Sequence, residues 1–259
     1  MNLVLPVERY LFSTADLEEL QAAQGILVAR CMKGFGLTYK APPPGPGLGP
    51  RSRMDRRYGL TDAKMAASSG YHLADRDPRG VKPATPNPPD GEARAALTGE
   101  SGTLGKSSPL VNGKTVAPGG CSGVAEKAIF GKDGSEIDDF PQDLNARSFF
   151  VTKSDPEVQR VFKAWSDCMS GNGFSYPDPL AAIDDKRFRG ATPSPAEIKV
   201  ATADVACKAR TNLVGVWFSA ETEFEKGVIR QSASRLNGVL DGERKALDVA
   251  SEVVRGAEG

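Results

Sequence analysis

Twelve residues of this chain are written twice, as CMKGFGLTYKAP from Cys31 to Pro42 and as CMSGNGFSYPDP from Cys168 to Pro179. Cys, Met, both Gly, Tyr and Pro recur at the same offsets, and Leu37/Phe174 and Thr38/Ser175 are close substitutions. The repeat restricts the fold because each repeated residue type has a structural task. The cysteine falls in the last turn of a helical pattern and faces the core. The first glycine, Gly34 or Gly171, is expected to take the left-handed conformation that ends a helix. The second, Gly36 or Gly173, then frees the backbone for a sharp exit. The following apolar residue and tyrosine pack back on the helix, leaving the tyrosine hydroxyl to find a polar partner. We read the repeat as an internal duplication. Cys and Met are also soft ligands, so the pair could suggest copper. Packing at a helix end is the simpler reading, and no metal or cofactor is expected.

The cysteines are Cys31, Cys121, Cys168 and Cys207, and the one histidine is His72. No two cysteines share the short spacing of a zinc site, and His72 is near none of them in sequence. Four widely spaced cysteines fit disulfides of an oxidising compartment, with buried free thiols as the alternative. If each half descends from a unit that folded alone, each cysteine finds its partner within its own half. That gives Cys31–Cys121 and Cys168–Cys207, with pairing of the equivalent cysteines as the other possibility.

Apolar residues gather near 3–40, 140–180 and 195–254, so the core must come from those segments. Ser13, Thr14 and Asp16 open a helix whose face is Leu17, Leu20, Leu27, Val28 and Cys31. From about 40 to 120 the chain is rich in Pro and Gly and reads as an extended excursion. Within it, a short helix is expected at 62–68, capped by Thr61, and at most one helical turn near 92–97. Further short helices are expected at 121–130 and 143–150. In SDPEVQRVFKAWSDCM, Ser154 and Glu157 stand at capping-box spacing before the stripe Val158, Val161, Phe162, Trp165, Cys168 and Met169. Ser194 and Glu197 open a longer pattern running through Val205, Leu213, Trp217, Phe224, Leu236 and Val254. It reads as one long helix to about Leu240, a break near Gly238 and Gly242, and a shorter helix after it. The fold class is therefore all-α, with internally duplicated helical units at 1–135 and 136–259. The coiled-coil-like period of the long C-terminal helix suits a protein partner or self-association.

Lys plus Arg equals Asp plus Glu at 33 each, which gives no reason to expect a nucleic-acid partner. No apolar run approaches the roughly 20 residues of a membrane span. The opening MNLVLPVERYLF has no basic flank, and Pro6 cuts its apolar run, so an export signal is expected to be absent from this chain.

RYLFSTADLEELQAAQGILVARCMKGFG, RRYGLTDAKMAASSGYH, VAPGGCSG, VFKAWSDCMSGNGFSYPDP and ADVACKARTNLVGVW together resemble a family of uncharacterised exported proteins and lipoproteins of actinomycetes. The resemblance runs from about Tyr10 to Phe224. It implies an extracytoplasmic location and a helical architecture, and no activity.

Several motifs imitate chemistry. GESGTLGKSS, Gly99 to Ser108, has five residues between Gly99 and Gly105 where a phosphate loop needs four, and Pro109 and Asn112-Gly113 follow where its helix should run. KDGSEIDDF, Lys132 to Phe140, lacks the alternating ligands of a calcium loop and reads as a solvated acidic loop. Trp165 and Trp217 lie on apolar stripes and are expected in the core. No residue is assigned a catalytic role. Tyr71, His72, Arg56 and Arg57 are the weak candidates for binding. Arg51, Arg53, Arg56 and Arg57 could form an anion site, although Asp55 can neutralise them, and a surface patch is the simpler reading.

The sequence thus points to a non-catalytic binding or interaction protein outside the cytoplasm. The alternatives are an enzyme with a cleft between the repeats using His72 and nearby Tyr and Arg, and a cytosolic helical scaffold with free thiols. Intact mass after alkylation under denaturing, non-reducing conditions is expected to show no modified cysteine. Four alkylated thiols in freshly isolated protein would remove the extracytoplasmic reading.

Overall fold

The computed structural model describes residues 3–41, 47–80, 91–100, 108–131 and 138–258. Most of the phosphate-loop imitation, most of the acidic loop and Pro42 of the repeat lie outside these residues. The helices in chain order are α1 (Thr14–Gly34), α2 (Ala63–Ser69), α3 (Gly91–Thr98), α4 (Gly120–Phe130), α5 (Phe140–Lys153), α6 (Pro156–Gly171), α7 (Pro179–Ile183), α8 (Pro195–Thr211), α9 (Leu213–Gln231) and α10 (Ala233–Glu258). One small antiparallel hairpin, β1 (Leu110–Val111) and β2 (Lys114–Thr115), turns at Asn112-Gly113. Both turn residues have positive φ, as a two-residue hairpin loop requires. The protein is all-α, and none of its described helices is long and apolar enough to cross a membrane.

The chain forms two compact units, and they do not divide at residue 135. Unit 1 consists of Met1–Val7, Pro44–Ala84 and Asp143–Gln231; unit 2 consists of Glu8–Pro43, Thr85–Gln142 and Ser232–Gly259. Each unit holds one disulfide, Cys168–Cys207 in unit 1 and Cys31–Cys121 in unit 2, as the within-half pairing requires. Such cross-links fit an oxidising environment outside the cytoplasm.

In unit 1, α6 buries Val158, Val161, Phe162, Trp165 and Met169, the stripe its sequence announced. Its cap is Asp155, however, whose side chain accepts from the amides of Glu157 and Val158; aspartate caps as well as serine, and Pro156 fits the first turn. Asp62 replaces Thr61 as the cap of α2 for the same reason. Ser194 and Glu197 do form a capping box. Trp217 centres the core, with ring centroids 4.8 Å from Phe149, 5.0 Å from Phe162 and 5.2 Å from Tyr58.

In unit 2, α1 packs on α10 and α4, burying Leu20, Ala23, Ile129, Ala246 and Ala250 together. The apolar face of α10 is therefore covered within its own unit. The long sequence pattern breaks at Asn212, which takes the left-handed conformation that asparagine tolerates, and again at Ser232. It does not break at Gly238 or Gly242, which lie inside α10. A glycine there costs about 1 kcal/mol of helix propensity, which the packed face overrides.

The two copies of the repeat share one geometry. Leu37 donates to the Met32 carbonyl and Gly36 to that of Lys33; Phe174 donates to Met169 and Gly173 to Ser170, all at 2.9–3.0 Å. These are the paired bonds of a Schellman stop, and the apolar residue beyond each glycine packs in the same cluster as its methionine. The assignment of the glycines is reversed from expectation. Gly34 and Gly171 remain helical, while Gly36 and Gly173 carry φ of +76° and +82°. Tyr176 donates to Asp185 at 2.7 Å, the polar partner its hydroxyl needed. Cys207 stands near the end of α8, so its disulfide joins the late turns of α6 and α8.

Urea unfolding distinguishes the glycines. Gly36→Ala and Gly173→Ala are each expected to lower stability by about 1–2 kcal/mol. Gly34→Ala and Gly171→Ala, where an added methyl meets nothing within 4 Å, are expected to raise it by about 0.5–1 kcal/mol.

Candidate functional site

Unit 1 contains a cleft of about 360 Å³. One wall is the irregular stretch from Gly49 to Asp62, and the other comes from Leu73 and Arg76; Leu3, Met65 and Val214 add apolar surface. The two walls are tied by a reciprocal pair. Gly49 donates its amide to the Arg76 carbonyl at 2.8 Å, and Arg76 Nε donates to the Gly49 carbonyl at 3.0 Å.

A loop without regular hydrogen bonding needs other anchors, and here they are buried charges. Arg57 donates to both carboxylate oxygens of Glu221, at 2.6 and 3.0 Å, and to Asn145 Oδ1 and the Asn145 carbonyl. Glu221 is fully buried and also accepts from the Tyr58 hydroxyl at 2.5 Å. Burial works against the Arg57 charge, and the Glu221 contacts more than reverse the effect. Burial and the adjacent carboxylate push the Tyr58 phenol far above its ordinary range, so it stays a donor. Two residues on, Lys208 Nζ donates to the Leu60 carbonyl at 3.0 Å and to Asp204 at 2.8 Å. Burial lowers Lys208 and raises Asp204, and their mutual contact opposes both shifts. Gly59, at φ +78°, lies so close to Lys208 and Ile183 that a Cβ would come within 2.7 Å of each.

Immediately before these anchors sits Arg56, with φ of +69°, an uncommon value for a residue carrying a side chain. Its side chain lines the cleft, is 14% exposed, and donates from Nη2 to the His72 carbonyl at 3.2 Å. Burial lowers its pKa. Asp55 lies 3.8 Å from Arg56 Nε and accepts the Arg51 amide at 2.8 Å.

Of the four candidates read from the sequence, Arg56 alone lines the cleft. Arg57 is an internal anchor and not part of a surface patch. His72 is buried; its Nδ1 lies 2.8 Å from Glu197 Oε1 and its Nε2 3.0 Å from the Gly190 carbonyl, so both ring nitrogens are occupied. Tyr71 is buried against Phe188, and its amide donates to the same Glu197 oxygen at 2.9 Å. Tyr71 and His72 thus stand behind the cleft and support Arg56 through the His72 carbonyl. The cysteines of the Cys-Met pairs are spent in disulfides, and Met32 and Met169 are core residues.

The sequence reading missed Asp204, Lys208, Glu221 and Glu225 as organisers, and saw Glu197 only as a cap. A signal existed. Glu221 and Glu225 follow Trp217 at four-residue steps, and Asp204 and Lys208 share the buried face of α8 with Val200, Ala201 and Val205. A charge at a core position needs a partner.

No family model matches the chain, and no curated protein or solved structure matches it.

Ser148 Oγ lies 3.0 Å from Glu221 Oε1 and 2.9 Å from Glu225 Oε1, but one hydroxyl proton cannot serve two carboxylates. Burial raises the Glu225 pKa, against the opposing pull of the Val7 amide, which donates to Oε2, and of the Ser148 hydroxyl. A raised folded pKa gives stability that is full below the ordinary glutamate range and is lost as pH rises through the folded value. Glu225→Gln is therefore expected to flatten that loss in urea titrations across pH. Glu221→Gln, which leaves Arg57 buried without its counter-charge, is expected to cost about 3–5 kcal/mol.

Proposed function

We propose that this protein is an extracytoplasmic binding protein, without chemistry of its own, that takes a small ligand in the unit 1 cleft. The observation that carries this reading is Arg56. It has a left-handed backbone conformation immediately before a loop anchored by two buried ion pairs, and its side chain lines an open cleft. Strained residues persist only where the surroundings over-determine them, and they cluster at ligand sites. The buried titratable groups nearby, His72 among them, are engaged with one another, which favours a rigid receptor over a reaction centre. The two disulfides and the resemblance to exported actinomycete proteins support the location.

Methionine methyl groups report on this reading directly, because Met54 and Met65 line the cleft while Met32 and Met169 are buried in the cores. With ¹³C-methyl methionine, fragments of mixed charge are expected to produce saturable shifts confined to Met54 and Met65. Fragments that move Met32 and Met169 equally, or none that move Met54 and Met65, would end it.

A further inference from the structure

Resting on the binding reading above, we propose that the cleft recognises a small organic monoanion, a carboxylate carried on a short apolar body. Three guanidinium side chains, from Arg51, Arg56 and Arg76, line the cleft against two carboxylates, Asp55 and Asp62. Both carboxylates accept backbone amides, and Asp55 also lies 3.8 Å from Arg56 Nε. Asp62 Oδ1 accepts the Lys64 and Met65 amides at 2.8 and 2.9 Å, and these bonds hold its pKa below the usual range. Asp55 Oδ2 accepts the Arg51 amide. By count the lining keeps one positive charge in excess, at Arg56 beside its hydrogen bond to the His72 carbonyl and its 3.8 Å ion pair with Asp55.

A monoanion cancels that excess charge. A phosphate dianion would bring a second negative charge towards Asp55 and Asp62, and a cation would meet the three guanidinium groups. A guanidinium fork matches a planar carboxylate in geometry as well as charge. Met54, Met65, Leu73 and Val214 give the lining an apolar part that suits a short hydrocarbon body, beside the hydroxyl-bearing Ser52 and Thr61. The volume, about 360 Å³, is at the small end of ligand sites.

The test uses the full chain and three probes of one shape, benzoate, benzamide and benzamidine, with inorganic phosphate as a fourth. Benzoate is expected to shift the Met54 and Met65 methyls with the highest affinity of the four. Arg56→Met is expected to weaken benzoate by roughly tenfold or more while leaving benzamide within about twofold. Arg51→Gln, a change at an exposed side chain, is expected to weaken benzoate by a smaller factor and covers the case in which Arg56→Met disturbs the loop. Unmoved Met32 and Met169 methyls show that each variant is folded. Benzamidine or phosphate binding at least as tightly as benzoate would overturn the anion proposal and leave the binding reading standing. Benzoate affinity unchanged in both variants would do the same. If no probe moves Met54 or Met65, both fall.

Discussion

The contact between Arg57 and Glu221 organises more of unit 1 than its size suggests. A bidentate pair removed from water repays its desolvation only when nearly every remaining donor and acceptor is used. Here Tyr58, Asn145 and Ser148 take up those positions, and Phe149 lies 5.4 Å from the guanidinium carbon. Those partners come from α5 and from an irregular loop, so one carboxylate on α9 dictates the path of segments that have little periodic structure of their own. Lys208 repeats the device on α8, reaching a backbone carbonyl of the same loop. Arg56, with its positive φ, comes immediately before both contacts.

This explains which parts of the structure the sequence made legible. Helices with a clean apolar stripe, such as α6, were readable because periodicity and burial agree residue by residue. The helix stops of the repeat were readable as stops, although which glycine turns depends on where the last intrahelical bond falls. The cleft was hardly readable. Its organisers are charges placed where an apolar residue would serve the pattern, and their partners lie more than a hundred residues away in several cases, as with Arg57 and Glu221 or His72 and Glu197. Arginines clustered in RSRMDRRYG look alike in sequence, yet Arg57 points into protein and Arg56 faces the cleft because the backbone reverses its hand at one residue.

The same logic accounts for the misplaced helix breaks. Glycine lowers helix propensity, but Gly238 is exposed on a helix whose opposite face is packed, and packing decides. Asn212 breaks the pattern because its side chain folds over the following turn, where Gly215 leaves room that a Cβ would fill.

The interleaved wiring of the units has a consequence for the order of folding. In unit 2, α1 rests on α10, which lies some two hundred residues further along the chain, so a growing polypeptide cannot complete that core until its last helix has been made. Cys31 and Cys121 become available much earlier. Their bond joins α1 to α4, the two helices on which α10 comes to lie. The cystine can thus act as a clasp, holding a half-built seat in register for a helix that has not yet arrived.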